Sequence, residues 1–592
     1  MAESLPISDS KSLTGLYTTG HQDRRYANSK LRQICALDTE THDGDIFLIA
    51  DSEGNYLDKI TPKSVIKWLF SKRYEGTWNF FYNLTFDAGV ILKLLGENLK
   101  SYLKTRSLDF SFEGYSIQYI HGKKLAIKKG HHSTVFFDIA QFYHMKLVDA
   151  YQSNIGKLPE EYLKMKQKRS HFTKRFYNRN KQQVRNYCIT DCILTKRLAE
   201  KWITLFHDAF EFYPNRWISS GYLAEKVLIN NEIDIPKFNT VPYKIQELAF
   251  RCYFGGRFEM LKRGFIGTGY IYDINSAYPY ALTKIPNLSK GRWIKRKSIH
   301  PDSKLGFFRI KADIPDLKHV PPFPFRNNNM IIFPSGKFET FCTLPELLAC
   351  NDESMYEIID SYQFIPDVEE YPYKNFITEM YQKRLKLKQD GSPLQLPIKL
   401  ILNSIYGKTG QRINRKIGNL FNPIIFSAIT GHARAQLYEF VQKHKIEREI
   451  VAFATDSVCT TRKITSSSNE LGVFSLDKSG DDVFFLQNGI YRINGKWKQR
   501  GLGHLGTKEI EHLDTVEKDG KLFYKFKVLR AGQLRSSIIQ NNIEGIGKFS
   551  EITRQIDLNA DNKRIWLGNL KNIDEETVNF SISISLNHFK NI

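Results

Sequence analysis

Asp273 closes a run of β-forming residues, Tyr270, Ile271 and Tyr272, after which Ser276 to Pro279 turn the chain away. A carboxylate at a strand end, followed by a tight turn of peptide N–H groups, can hold a metal ion beside a phosphate chain. Tyr278 would then lie next to the sugar that carries the phosphate. Alone, the stretch also reads as a strand-to-turn junction with a solvated acid. A second acid, Asp456, lies in the β-rich run Val451 to Val458, where a hairpin can set it beside Asp273.

A separate group of acids precedes these. Asp38 and Glu40 are two apart, so on a strand both carboxylates face one side and can share metal ions. The pair alone is weak evidence, since a chain with 63 acids in 592 residues holds about seven such pairs by chance. Asp87 follows the apolar run Trp78 to Phe81 and precedes the helix-like Val90 to Leu95. Tyr187 and Asp191 are four apart and share one helix face. Four acids suffice for a two-metal phosphodiester hydrolysis site, with Tyr187 orienting the attacking water. Each taken singly also fits an ordinary surface acid.

Lys399, Asn403 and Tyr406 recur at i, i+4 and i+7, one face of a helix. An ammonium for a triphosphate, an amide and a ring beside a base pair make half of a nucleotide pocket. Lys383, Arg384, Lys386 and Lys388 give the preceding helical stretch a cationic face. Arg251-Cys252-Tyr253-Phe254-Gly255-Gly256-Arg257 pairs a flexible Gly-Gly with arginines suited to phosphate, although an ordinary turn explains it nearly as well. Lys164 to Arg185 is dense in cations with Phe172, Phe176 and Tyr177 interleaved, which suits a nucleic-acid backbone, a protein primer or a solvated helix.

The elements that must position these groups are a first strand at Leu31 to Asp38, a strand-to-helix junction at Asp87, and a helix from Tyr187 to Trp202. Residues 281–370 are rich in Pro and aromatics and read as an inserted subdomain; helical patterning resumes at Thr378. Near the C-terminus Val578, Phe580, Ile582, Ile584 and Leu586 alternate with Asn and Ser, a half-buried strand pattern. Lys+Arg 86 against Asp+Glu 63 gives a net charge of +23, which points to a polyanion partner, nucleic acid being the commonest. A run of about 18 apolar residues is missing, so no membrane span is expected. Residues 1–32 lack an apolar signal core, which argues against secretion. Seven scattered cysteines without CxxC suggest reduced thiols rather than a zinc site or disulfide framework.

Lys399 to Gly407 resembles the KxxxNSxYG motif of family B DNA polymerases. Tyr272 to Pro279 resembles their DxxSLYP motif, with Ala277 in place of Leu, and Ala454 to Ser457 resembles their DTDS motif. Asp38-Thr39-Glu40, Asn83 to Asp87 and Tyr187 to Asp191 are similar to the DxE, NxxFD and YxxxD motifs of the family's proofreading exonuclease. All six follow the family's order. Tyr253 to Gly256 is similar to the YxGG/A linker of the protein-primed branch, found in phage, viral and linear-plasmid replicases.

The resemblance implies an α/β multidomain fold, an RNase H-like 3′-5′ exonuclease followed by a right-hand palm, fingers and thumb. It divides the chain into a flexible lead-in (1–30), the exonuclease (31–205), a linker (206–270), palm (271–300 and 421–480), a terminal-protein-region-like insert (301–370), fingers (371–420) and thumb (481–592). The implied function is DNA-directed synthesis with proofreading for a viral or mobile-element genome, primed by a terminal protein. Asp273 and Asp456 would hold two Mg2+ ions, and Asp38, Glu40, Asp87 and Asp191 two more, with Mn2+ able to substitute. Tyr278, Lys399, Asn403, Tyr406, Ile274 and Arg384 would bind the nucleotide. Tyr253, Gly255, Gly256, Asn83, Phe86, Tyr491 and Lys498 would touch DNA. Partners would be template and primer, dNTPs, the terminal protein and a single-strand-binding protein, in the cytoplasm of a host cell or, failing that, an organelle carrying a linear plasmid.

Ala454 departs from the DTDS pattern; the resemblance makes Asp456 the essential ligand. Gly489 stands where the branch's primer-gripping KxY lysine would fall, leaving Lys496, Lys498 or Arg500 as substitutes. The exonuclease lysine would be Lys164 or Lys166. The segment from Gly407 to Ala452 is short for a strand-displacement insert. Two other readings stay open: a nucleic-acid-primed family B polymerase, and a catalytically inactive DNA-binding protein, suggested by Ala454.

Overall fold

The computed structural model describes residues 17–18, 29–95, 107–168, 172–316, 318–413, 416–465, 468–500, 502, 510, 514–518, 521–557, 562–567 and 577–588. Most of the lead-in expected over 1–30 lies outside them; Tyr17–Thr18 pairs in parallel with the short strand Lys416–Ile417.

The N-terminal third is built on an eight-stranded mixed sheet. Its centre is Trp78–Phe81, buried on both faces and parallel to Ile34–His42 on one side and His132–Asp138 on the other. A strand covered on both sides reads as an unbroken apolar run, which is how Trp78 to Phe81 reads. The first strand begins three residues later than expected and continues past Glu40 to His42, because Leu37 to Glu40 keep pairing with Leu48 to Asp51. The helix expected at Tyr187 is Lys181–Phe210, thirty residues lying against this sheet, so Tyr187 and Asp191 sit in its second and third turns rather than at its start. Phe172 and Tyr177 are core residues and Phe176 packs against them. The aromatic interleaving of Lys164 to Arg185 is thus the apolar side of a packed segment, and those rings are not available to stack on bases.

A nine-stranded sheet organises the rest. Lys262–Ile274 runs through its middle, between the hairpin Ile450–Thr455/Ser457–Thr460 and Phe474–Gln487. Pro423–His444 backs it, with Leu437, Phe440 and Val441 meeting Tyr272, Phe453 and Val458 in one core. The insert is a four-stranded antiparallel sheet that begins at Gly291 and ends at Pro366, starting ten residues before and ending four before the 301–370 expected.

The C-terminal region departs most from expectation. Ile490–Ile493, Lys496–Gln499, Arg564–Leu567 and Val578–Ser583 all belong to the nine-stranded sheet, which therefore continues past residue 480, the boundary expected between palm and thumb. Among the described residues of this region, Asp514–Lys518, Lys521–Ala531 and Phe549–Asp557 form a sheet of their own. The alternation in Val578–Ser583 is real but its faces are reversed: Asn579, Ser581 and Ser583 are buried, whereas Phe580 and Ile582 are exposed. The cause is the buried guanidinium of Arg564, which donates to Ser581 Oγ at 2.9 Å, while that hydroxyl donates to Leu261 O at 2.9 Å. A buried charge needs polar partners more than the core needs one more Phe.

Candidate active sites

Asp273, one residue before its strand ends, lies directly opposite Ser457, and the Ile274 N–H donates to Asp456 O at 2.9 Å. Backbone pairing therefore sets the two carboxylates side by side at the floor of a cleft of about 700 Å3. Burial, then the charges of Asp456 and Asp477, push the Asp273 carboxyl up to about 7; burial also raises Asp456. Partly desolvated like charges call for a cation, and three oxygen-bearing acids suit a hard divalent ion. Asp477, which sequence reasoning missed, enters through a β-bulge opposite Ile271 and Tyr272, a feature that no local spacing reveals.

The helix Gln395–Thr409 presents Lys399, Asn403 and Tyr406 to this cleft. Ile274, Tyr278 and Arg384 line it too. Arg384 Nη1 donates to Ser276 Oγ at 3.3 Å, and Ser276 takes the left-handed backbone (φ 52°) that starts the turn. The rings of Tyr278 and Tyr406 lie 4.4 Å apart, and Tyr253 Oη is 3.3 Å from Tyr406 Oη. The linker motif thus packs on the Tyr278 and Tyr406 side of the cleft. Gly256 meets Thr455: a Cβ there would stand 2.7 Å from Thr455 Cγ2. Thr455 itself holds φ 72°, a strained setting for a β-branched residue, next to Asp456. Arg434 Nη1 donates to Gly255 O at 2.5 Å. Arg257 is buried and paired with Glu259, so it is not placed for phosphate; Arg251 pairs with Glu247 on the exposed face of its helix. Lys498 stands opposite Tyr491 on the adjacent strand, and its charge pulls Asp273 back towards ionisation. That favours Lys498 over Lys496 or Arg500, whose guanidinium lies over Phe258 at 4.3 Å.

The second group of acids gathers at one end of the eight-stranded sheet. Ligand atoms of Asp38, Glu40 and Cys188 lie within 4.8 Å of one another. Cys188 went unremarked in the sequence because it is one residue past Tyr187 and points inward; all seven cysteines are buried free thiols. Thr39 Oγ1 donates to Asp87 Oδ1 at 2.6 Å, holding the third acid beside the strand. Asp191 Oδ1 accepts from Tyr162 Oη at 2.5 Å, and Lys166 Nζ donates to Tyr162 Oη at 3.0 Å. Lys164 instead pairs with exposed Glu160, so of the two lysines Lys166 faces the site. Asn83 has a left-handed backbone (φ 68°), its N–H bound by Asp138 Oδ1 at 2.9 Å. Phe86 lies 6.1 Å from Phe549, where the C-terminal region docks: Leu534, Ile538 and Ile546 join this core.

Residues 80–424 match the family described as DNA polymerase type B, organellar and viral, a stretch longer than half the chain. The chain is a family B DNA polymerase. A DNA polymerase of Acidianus bottle-shaped virus (isolate Italy/Pozzuoli) is 26% identical over 577 residues, covering 87% of this polymerase and 81% of that one. Phi29 DNA polymerase complexed with primer-template DNA and incoming nucleotide substrates shares the fold, with a TM-score of 0.59 and 15% identity over 90% of this polymerase and all of that chain. The same enzyme complexed with single-stranded DNA gives 0.54 and 16% identity over 88% and 92%. The architecture is accordingly an exonuclease fold followed by palm, fingers and thumb, and the polymerase is a DNA-directed one. No helix among the described residues is long and apolar enough to cross a membrane.

Proposed function

We propose that the polymerase extends a primer at Asp273 and Asp456 and removes misplaced 3′ nucleotides at Asp38, Glu40, Asp87 and Asp191. The observation that carries the synthetic half is the shared cleft: two acids on its floor, Lys399 on its wall, and Tyr278 against Tyr406. In synthesis the primer 3′-oxygen attacks the α-phosphorus of a dNTP, and the bond to pyrophosphate breaks. Asp273 and Asp456 would hold the divalent ions, Mg2+ or Mn2+, which supply charge neutralisation and an activated 3′-oxygen when bound. Lys399 places fixed positive charge where the leaving group gains negative charge. Tyr278 fills the space where a ribose 2′-hydroxyl would sit, and Asn403 and Tyr406 bound the nascent base pair. Lys498 with Tyr491 holds the primer end.

In the exonuclease, Tyr187 orients water and Lys166 offsets charge on the scissile phosphate, while Asn83 and Phe86 seat the unpaired end. Tyr253 to Gly256 and the inserted sheet support initiation on the hydroxyl of a terminal protein, with template DNA, dNTPs and a single-strand-binding protein as the other partners.

Primer extension and single-strand degradation by two variants test this. Asp456→Asn should abolish incorporation and retain degradation, and Asp38→Ala with Glu40→Ala should do the reverse. Incorporation by Asp456→Asn would overturn the metal assignment. Covalent attachment of labelled dNTP to a separate protein decides for protein priming over a nucleic-acid primer.

A further inference from the structure

Tyr162 sits on the short helix Glu160–Gln167 and its ring is buried in the core, yet its hydroxyl has charged partners. Its hydroxyl donates to Asp191 Oδ1 at 2.5 Å, within the range of a charge-assisted bond from a hydroxyl to a carboxylate. The same oxygen accepts from Lys166 Nζ at 3.0 Å, one helical turn along. Its ring stacks on that of Tyr187 with centroids 5.3 Å apart and planes 12° from parallel. Phe172 closes the other edge of Tyr187, 5.6 Å away at 86°. One side chain therefore touches three groups of the exonuclease site, the acid, the cation and the second phenol.

We propose that Tyr162 is a positioning residue for the 3′-5′ exonuclease, an inference that rests on that reading of the site. A carboxylate rotates broadly about its last torsion, and in a site lined by Asp38 and Glu40 it would turn away from its neighbours. The phenol fixes Asp191 through Oδ1, and Oδ2 is the oxygen that would serve a cation. The phenol does so as a neutral hydroxyl donor, without adding charge. Lys166 is kept 3.9 Å from Asp191 Oδ1 by leaning on the phenol, too far to seize the carboxylate and close enough to remain in the site. A lysine bound directly to Asp191 would compete with the metal; a phenol between them prevents that. Stacking sets the plane of Tyr187, hence the direction of its hydroxyl.

Outer partners of metal-binding carboxylates typically matter 10–100-fold in activity or metal affinity. Tyr162→Phe keeps the ring and its stack but removes the hydroxyl. In full-length protein it should lower kcat for single-strand degradation about 10–100-fold with KM for the oligonucleotide within about twofold. Mn2+ binding, followed by electron paramagnetic resonance in a chain whose polymerase acids are replaced (Asp273→Asn, Asp456→Asn), should weaken about tenfold or more on adding Tyr162→Phe. Melting temperature reports folding independently. Unchanged kcat and Mn2+ affinity in Tyr162→Phe would overturn the proposal while leaving the exonuclease intact. A rise in KM with a lowered melting temperature and unchanged Mn2+ affinity would also overturn it, as a purely structural role. Weakened Mn2+ binding in a protein that never degrades single strands would support the positioning role and instead remove the exonuclease reading.

Discussion

The Ile274 N–H donates to the carbonyl of Asp456 at 2.9 Å, across the junction where two strands of the nine-stranded sheet end. The separation of the two acids in the cleft is therefore set by backbone pairing rather than by flexible side chains. A sheet register is stiff because a slip of one residue would turn every buried side chain outward. Tyr272 immediately precedes Asp273 and Phe453 lies three residues before Asp456; both are fully buried, so the register at this point has no freedom.

Gly256→Ala should damage synthesis specifically. The added methyl meets Thr455, whose backbone is already left-handed, and Thr455 adjoins Asp456. Primer extension should fall about tenfold or more, since small displacements of reacting groups are costly. Degradation of single strands, measured in parallel, should be retained.

The pH dependence of the Mg2+ requirement follows from Asp273. Its carboxyl is raised to about 7 in the folded chain, from an ordinary 3.8, so a proton competes with the cation below that pH. The half-saturating Mg2+ concentration for incorporation should rise as pH falls from 7 to 6 and change little from 7.5 to 8.5. The same sign holds for stability without metal: ionising Asp273 between 3.8 and 7 disfavours the fold, so stability from this group is lost as pH rises. Asp477→Asn removes one of the two raising charges and should move the inflection to lower pH, read from metal titrations of incorporation at each pH.

Replacing Tyr278 with Ala should relax sugar selection. The Tyr278 ring is held by Tyr406 at 4.4 Å and occupies the cleft beside Asp273. Competition between rNTP and dNTP in primer extension should shift towards rNTP by about tenfold or more, as expected when a steric exclusion worth a few kcal/mol is removed.

Glu259→Leu should destabilise the palm by about 3–5 kcal/mol, the usual consequence of removing one partner from a buried ion pair. Glu259 is 1% exposed, pairs with Arg257 and lies 3.7 Å from Arg564. Thermal unfolding should show a lowered transition, and synthesis should be lost above it.

Sequence alone determined the chemical groups and their local order. Two acids on one strand, and a lysine, an asparagine and a tyrosine on one helix face, are fixed by periods of 2 and 3.6, so Asp38 with Glu40 and Lys399 with Asn403 and Tyr406 were legible before any coordinates. Tertiary structure decided what those groups meet. Asp477 reaches the cleft through a bulge, and Tyr162 reaches Asp191 from another helix 29 residues away. Arg257, a phosphate ligand on sequence grounds, is consumed by Glu259. The strand Val578–Ser583 shows the limit most plainly: alternation announced two faces, but which was buried depended on a guanidinium fourteen or more residues away. Periodicity is a property of one segment, whereas burial and desolvation belong to pairs of segments, and only packing joins them.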